Sequence, residues 1–211
     1  VDTGGKLGTL LVTAEKGEQD RDTEFGDYHT TLSVWNPGDM DAPLQTMAVL
    51  VEDMAFGHHE VVDANFDGYV DFSVLYNMGN AARYWYLWVW DEAAGQFAEV
   101  PEYREISLPR RNPETEVIDG WARNSGGGDG VTTFHRWEDG KLVCIRRIET
   151  WWEETDMVIP ETEGTVFAYG IKVEDRIDGE LTQVYYKELP PGEDFFDEQA
   201  KWEHLDYHGE N

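Results

Sequence analysis

Asp63, Asn65, Asp67 and Asp71 place oxygen side chains at positions 1, 3, 5 and 9 of one short run, with Gly68 at position 6. Calcium is a hard cation that takes about six to eight oxygen ligands, and alternate side chains converge on one ion when such a loop curls. Gly68 permits the sharp turn, and Tyr69 would offer its backbone carbonyl. Asp71 would bind directly or through water. Position 12 is Val74, where a helix–loop–helix calcium site has a bidentate Glu. The flanks, residues 59–62 and 69–75, are rich in β-formers, so the expected site is a strand-flanked calcium loop. A remote acid such as Glu52, Asp53 or Asp91 would tighten it. The bland alternative is an acidic, solvated turn.

Other chemistry-bearing residues are weaker. His58, His59 and Glu60 are adjacent, but neighbouring strand residues point to opposite faces, so a solvated loop is expected there. Cys144 is the single cysteine. It lies in the apolar run Leu142-Val143-Cys144-Ile145 and reads as a buried small hydrophobe. The Gly-rich run at residues 124–130 lacks the Lys-Ser/Thr of a phosphate loop and reads as a connection. Carboxylate pairs are everywhere and none is singled out, and no nucleophile elbow is present, so the chain is expected not to be an enzyme.

These residues need strands to hold them. In Arg-Tyr-Trp-Tyr-Leu-Trp-Val-Trp, residues 83–90, Tyr84, Tyr86, Trp88 and Trp90 share one face, and Trp85, Leu87 and Val89 the other. Both faces are apolar or aromatic, as in a central strand covered on two sides. A unit of strand, terminal Trp, acidic or Gly turn and strand recurs at Trp35, Trp90 and Trp137, spacings of 55 and 47 residues. A weaker copy without Trp spans residues 164–188, with its turn at 176–179. Residues 13–27 read as an acidic loop, and residues 194–204 as the best helix. The expected fold is all-β, a single domain of repeated small antiparallel sheets in a propeller-like arrangement.

Lys and Arg total 16 against 44 Asp and Glu, a net charge of −28. Such a surface repels phosphate backbones, so nucleic acid is excluded as a partner, and it attracts basic proteins. No apolar run is long enough to span a membrane. The chain starts at Val1 rather than Met, as a mature exported form would. A monomer is expected.

The run from Val61 to Phe72, then Gly79-Asn80-Ala81, the aromatic strand ending at Trp90, a hairpin closing at Phe97, and the strand pair within residues 134–148 together resemble a bacterial family. Its members are secreted or lipid-anchored proteins with a propeller-like fold. They include an immunity protein against a lysozyme-like effector delivered by a secretion system, and they are similar to periplasmic lysozyme inhibitors. The loop itself resembles the calcium loops of FG-GAP and integrin-type propeller repeats. The resemblance covers about residues 28–150, and residues 1–27 and 161–211 go unmatched. It implies an extracellular, periplasmic or cell-surface, calcium-stabilised binding module whose partner is a protein, a basic cell-wall hydrolase. The segment implied to meet that partner contains Asn77, Gly79, Asn80, Arg83 and Tyr84. The alternative is a surface module that binds carbohydrate or another envelope ligand. A groove lined by exposed Trp would favour it.

Overall fold

Strand follows strand through nearly the whole chain. The computed structural model describes residues 8–23, 26–79, 81–123, 129–155, 166–189 and 196–209. Three open antiparallel sheets form in chain order. The first contains β1 (Leu11–Gln19), β2 (Tyr28–Trp35) and β3 (Gln45–Val51). The second contains β4 (His59–Val62), β5 (Asp71–Met78), β6 (Arg83–Asp91) and β7 (Gln96–Glu99). The third has six strands: β8 (Arg110–Asn112), β9 (Val117–Arg123), β10 (Gly130–Glu138), β11 (Lys141–Thr155), β12 (Val166–Ile177) and β13 (Glu180–Leu189). A 3-10 turn, Pro101–Glu105, joins the second sheet to the third, and α1 (Phe196–Trp202) closes the described chain.

The core lies between these layers. Leu32, Val34 and Val51 of the first sheet pack against Phe72, Leu75, Trp88 and Phe97 of the second. The second sheet's other face, with Val62 and Leu87, meets Tyr103, Ile106, Ile118 and Leu142. The third sheet turns Phe134, Ile148, Ile171 and Val173 towards Trp202 of α1. Strand β6 sits between β5 and β7 and contributes to the first two clusters, Tyr86 and Trp88 on one side and Leu87 on the other. The alternation in its sequence is therefore a true record of its two buried faces.

Two hairpins show why short acidic turns recur. Glu138 pairs with Lys141 across Asp139-Gly140, and Ile177 with Glu180 across Asp178-Gly179. All four turn residues have positive φ, 48° and 75° in the first turn and 51° and 91° in the second. Asp-Gly reaches that conformation at low cost, and its twist matches the flanking strands.

Three expectations need correction. The segment read as an acidic loop at residues 13–27 contains most of β1, which pairs with β2 from Leu11↔Trp35 to Gln19↔Tyr28. Its side chains are almost all exposed, so no apolar alternation marks it; its backbone hydrogen bonds to β2 make it a strand. The third and fourth repeat copies are not separate sheets, because β11 pairs with β12 over ten residue pairs, Arg146↔Asp175 to Thr155↔Val166. The helix ends earlier than expected, at Trp202 rather than residue 204, its described part running Phe196–Trp202; residues 194 and 195 lie outside the described residues, as do 124–128 of the Gly-rich run and 164–165 of the weak repeat copy.

Candidate metal centre

The acidic run, residues 63–71, links β4 to β5 at one end of the second sheet. The backbone curls through two left-handed residues, Phe66 with φ 61° and Gly68 with φ 84°. Glycine removes the side-chain penalty at the second, as expected. Every acidic or amide side chain of the run turns inward to a backbone or side-chain donor. The Gly68 N–H donates to Asp63 Oδ2 at 3.1 Å. The Tyr69 N–H donates to Asp67 Oδ1 at 2.7 Å, and Asn65 Nδ2 to Asp67 Oδ2 at 2.9 Å. Asp63 Oδ1 is buried with no hydrogen-bond partner. An orphaned, buried carboxylate oxygen is costly, and a cation would satisfy it.

Asp71 does something different from the rest. It is fully buried. Its Oδ2 accepts from the Ala64 N–H at 2.8 Å, and its Oδ1 from the Trp90 N–H at 2.9 Å. The carboxylate thus clasps the start of the loop to β6. Burial pushes its pKa up to about 7, against the pull of those two amides; the negative Asp67 and Asp63 add to the rise. Among the described residues, no three His, Cys, Asp or Glu side chains form a ready metal cluster. The loop therefore separates two jobs: Asp63, Asn65 and Asp67 stand at the turn, and Asp71 secures the backbone behind it. The remote acids are engaged elsewhere. Glu52 Oε2 accepts from the Met78 N–H at 2.8 Å, Asp53 pairs with Lys16, and Asp91 Oδ1 caps Ala93 and Ala94 at 2.9 and 3.0 Å.

The loop is also a joint between sheets. Arg111 of β8 donates to the Asp63 carbonyl at 2.9 Å. Trp137 of β10 donates its indole N–H to the Ala64 carbonyl at 2.9 Å. Trp137 is one of the three repeat-marking tryptophans, and its 73-residue reach to Ala64 carries no local signal in the sequence. Tyr69 is buried, and its hydroxyl is pushed up to about 12, chiefly by a hydrogen bond to Glu92.

The segment expected to meet a partner is the β5–β6 hairpin at the other end of β5, on the order of 20 Å away along the strand. Asn77 pairs with Tyr84 and Met78 with Arg83, after a bulge at Tyr76. The Gly79 N–H donates to the Ala82 carbonyl at 2.9 Å. Arg83 and Gly79 are exposed, Asn77 and Tyr84 half-buried, and Asn80 lies outside the described residues. The hairpin and the acidic loop are thus separate features joined by one strand. His58, His59 and Glu60 are all exposed. Cys144 is half-buried, and burial holds its thiol pKa up.

No protein-family profile matches the chain, and none of the curated proteins does. Among solved structures it is similar to a Xanthomonas type IV secretion system related protein, with a TM-score of 0.51, 15% identity, and 88% of this chain and 91% of that one covered. At that identity the likeness is one of fold alone.

Proposed function

We propose that this chain is an exported, calcium-stabilised protein-interaction module with blade-like sheets, which acts by binding and inhibits a basic, lysozyme-like cell-wall hydrolase. The observation that carries the calcium part is the loop at residues 63–71, with its buried, unpartnered Asp63 Oδ1 and its two ties to the third sheet. Asp63, Asn65 and Asp67, with the Tyr69 carbonyl, would hold the ion. Calcium supplies positive charge where three carboxylates crowd one short loop, and so stiffens the joint. The charge of −28 supports a basic partner. The structural likeness to a secretion-system related protein supports a bacterial, exported setting. Among the described residues, no helix is long and apolar enough to cross a membrane.

Extracellular loops of this kind bind calcium at about 10⁻⁴ to 10⁻³ M, so millimolar calcium adds roughly 0.4–1.4 kcal/mol by mass action. The thermal midpoint should rise accordingly between chelator and millimolar calcium. Magnesium should do little, because its octahedral shell gives up water reluctantly. Asp67→Ala should remove most of the calcium-induced rise. An equal midpoint with and without calcium would refute the calcium reading.

The partner reading is tested separately. Purified protein should slow lysis of cell walls by a basic lysozyme-like hydrolase, and less so at high salt. Arg83→Ala, at an exposed position, should weaken that inhibition without lowering the thermal midpoint, and Tyr84→Ala should weaken it with only a modest drop. A panel of such hydrolases left at full rate by excess protein would overturn it.

A further inference from the structure

A second site lies away from the acidic loop, where the second and third sheets meet the C-terminal segment. A cleft of about 620 Å³ opens there, within the usual range for small-ligand sites. Its walls include Trp85 of β6 and Trp121 of β9. Its polar groups include Arg83 of β6, Glu60 of β4, Arg110 of β8, and Glu203 just past α1. These residues are far apart in sequence, so only the folded chain assembles the cleft.

The two indoles differ from other tryptophans of the protein. Trp88 stacks on Phe72 at 5.0 Å, Trp202 packs against Tyr185 and Tyr207, and Trp137 spends its N–H on Ala64. Among the described residues, neither Trp85 nor Trp121 stacks on another aromatic ring or gives its N–H to a protein acceptor. Trp121 is 36% exposed, an unusual amount for so large an apolar side chain in a sheet. Trp85 packs partly against the core on both faces of the second sheet, so Trp121 supplies most of the open aromatic surface. Such a surface beside hydrogen-bonding groups suits a ligand that is apolar on one side and polar at its rim.

The polar groups narrow the chemistry. Arg83 and Arg110 supply planar donors, and Glu60 and Glu203 planar acceptors. Arg110 is held in place by Asp119, with Nε to Oδ2 at 2.8 Å, and Glu203 by Gln199 at 3.0 Å. Asp119 already neutralises Arg110, which leaves Arg83 against Glu60 and Glu203, so the cleft does not favour an anion. The wider surface, at −28, repels anionic ligands.

We propose that the cleft walled by Trp85 and Trp121 binds a neutral pyranose oligosaccharide. The sugar's C–H faces rest on the indoles, and its hydroxyls bond to the carboxylate and guanidinium groups. This site stands apart from the calcium loop; it shares Arg83 with the segment proposed to meet the hydrolase, and a sugar titration with no hydrolase present reads the cleft alone.

The test is saturation-transfer NMR and tryptophan fluorescence titration of the full chain with three neutral trisaccharides: maltotriose, cellotriose and triacetylchitotriose. At least one trisaccharide should bind saturably, with the strongest transfer to its ring C–H protons. Trp121→Ala should weaken binding roughly tenfold, the loss typical of removing one well-placed aromatic anchor. Trp121 is 36% exposed, so its truncation also removes some packing and the thermal midpoint of that variant should fall only modestly. Glu60→Gln, at an exposed position on β4, provides a second variant and should weaken binding without disturbing the fold. Absence of saturable binding by all three sugars overturns the proposal. So does binding that both variants leave intact.

Discussion

Replacing Arg146 by Ala should destabilise the protein by about 3–5 kcal/mol, the cost typical of breaking a buried, fully bonded charge pair. Arg146 is 2% exposed. Its Nε and Nη2 grip Asp175 Oδ1 and Oδ2 at 2.6 and 2.7 Å. Its remaining N–H groups bond the carbonyls of Trp202 and His204 through Nη1, and of Tyr207 through Nη2, each at 3.0 Å. All five guanidinium donors are thereby used. The guanidinium also lies over the Trp202 ring, 5.3 Å from its centre. One side chain on β11 thus fastens the segment after α1 to the third sheet. Its removal strands three backbone carbonyls and one carboxylate. Asp175 retains 18% of its side-chain exposure, so water offsets part of that cost and favours the lower end of the range. Arg146→Lys should recover little, because an ammonium cannot bond two carboxylate oxygens and three carbonyls from one fixed plane. Urea unfolding of wild type and both variants measures the loss, and limited proteolysis should cut the variants first within residues 196–209. A loss under about 1 kcal/mol for Arg146→Ala would show that the tail is held by Trp202 packing alone.

How far the sequence discloses this protein depends on how local each signal is. Asp139-Gly140 and Asp178-Gly179 announce their hairpins because two left-handed residues in succession need those side chains. Residues 83–90 announce a doubly covered strand because both alternating sets are apolar. The acidic loop is legible from its spacing, since its turn is made by Gly68 and its own side chains. What distance joins is not legible. Arg146 finds its carbonyls 56 to 61 residues on. Asp71 reads as a fourth loop ligand by position, yet its carboxylate reaches back to Ala64 and across to Trp90, 19 residues away. Strand β1 hides because an exposed edge strand has no buried face to impose a period. The merging of β10–β11 with β12–β13 depends on an edge pairing that no repeat spacing encodes. Trp121 carries no sequence mark distinguishing it from the core tryptophans, because its open face depends on which elements fail to cover it.

Acidification should destabilise the wild-type protein through His135, by about 2 kcal/mol at pH 5 and about 3 kcal/mol at pH 4. His135 is 8% exposed, and its Nε2 is buried with no hydrogen-bond partner. It sits on β10 opposite Cys144 of β11, beside the register shift that follows Phe134. Glu105, Cys144 and Arg147 line the same hollow. Burial lowers its pKa from about 6.5 to about 4, because an imidazolium there would lose its hydration and gain no partner. The native state therefore binds the proton less readily than the unfolded chain. Its contribution is fully present above pH 6.5 and is lost as pH falls through 4. The surface acids act in the opposite sense, since protonating them relieves the repulsion of a chain at −28. Asp71 does too, because a carboxyl raised to about 7 in the fold favours the native state as pH falls. A wild-type profile alone would mix these slopes. His135→Leu separates them, because it removes one titration and leaves every carboxyl in place. The difference in unfolding free energy between wild type and His135→Leu, measured in urea from pH 7.5 to 4, should shift towards the variant by about 3 kcal/mol over that range. A difference that stays constant with pH would mean that the imidazole is hydrated or paired in solution, and that its buried nitrogen is not an orphan.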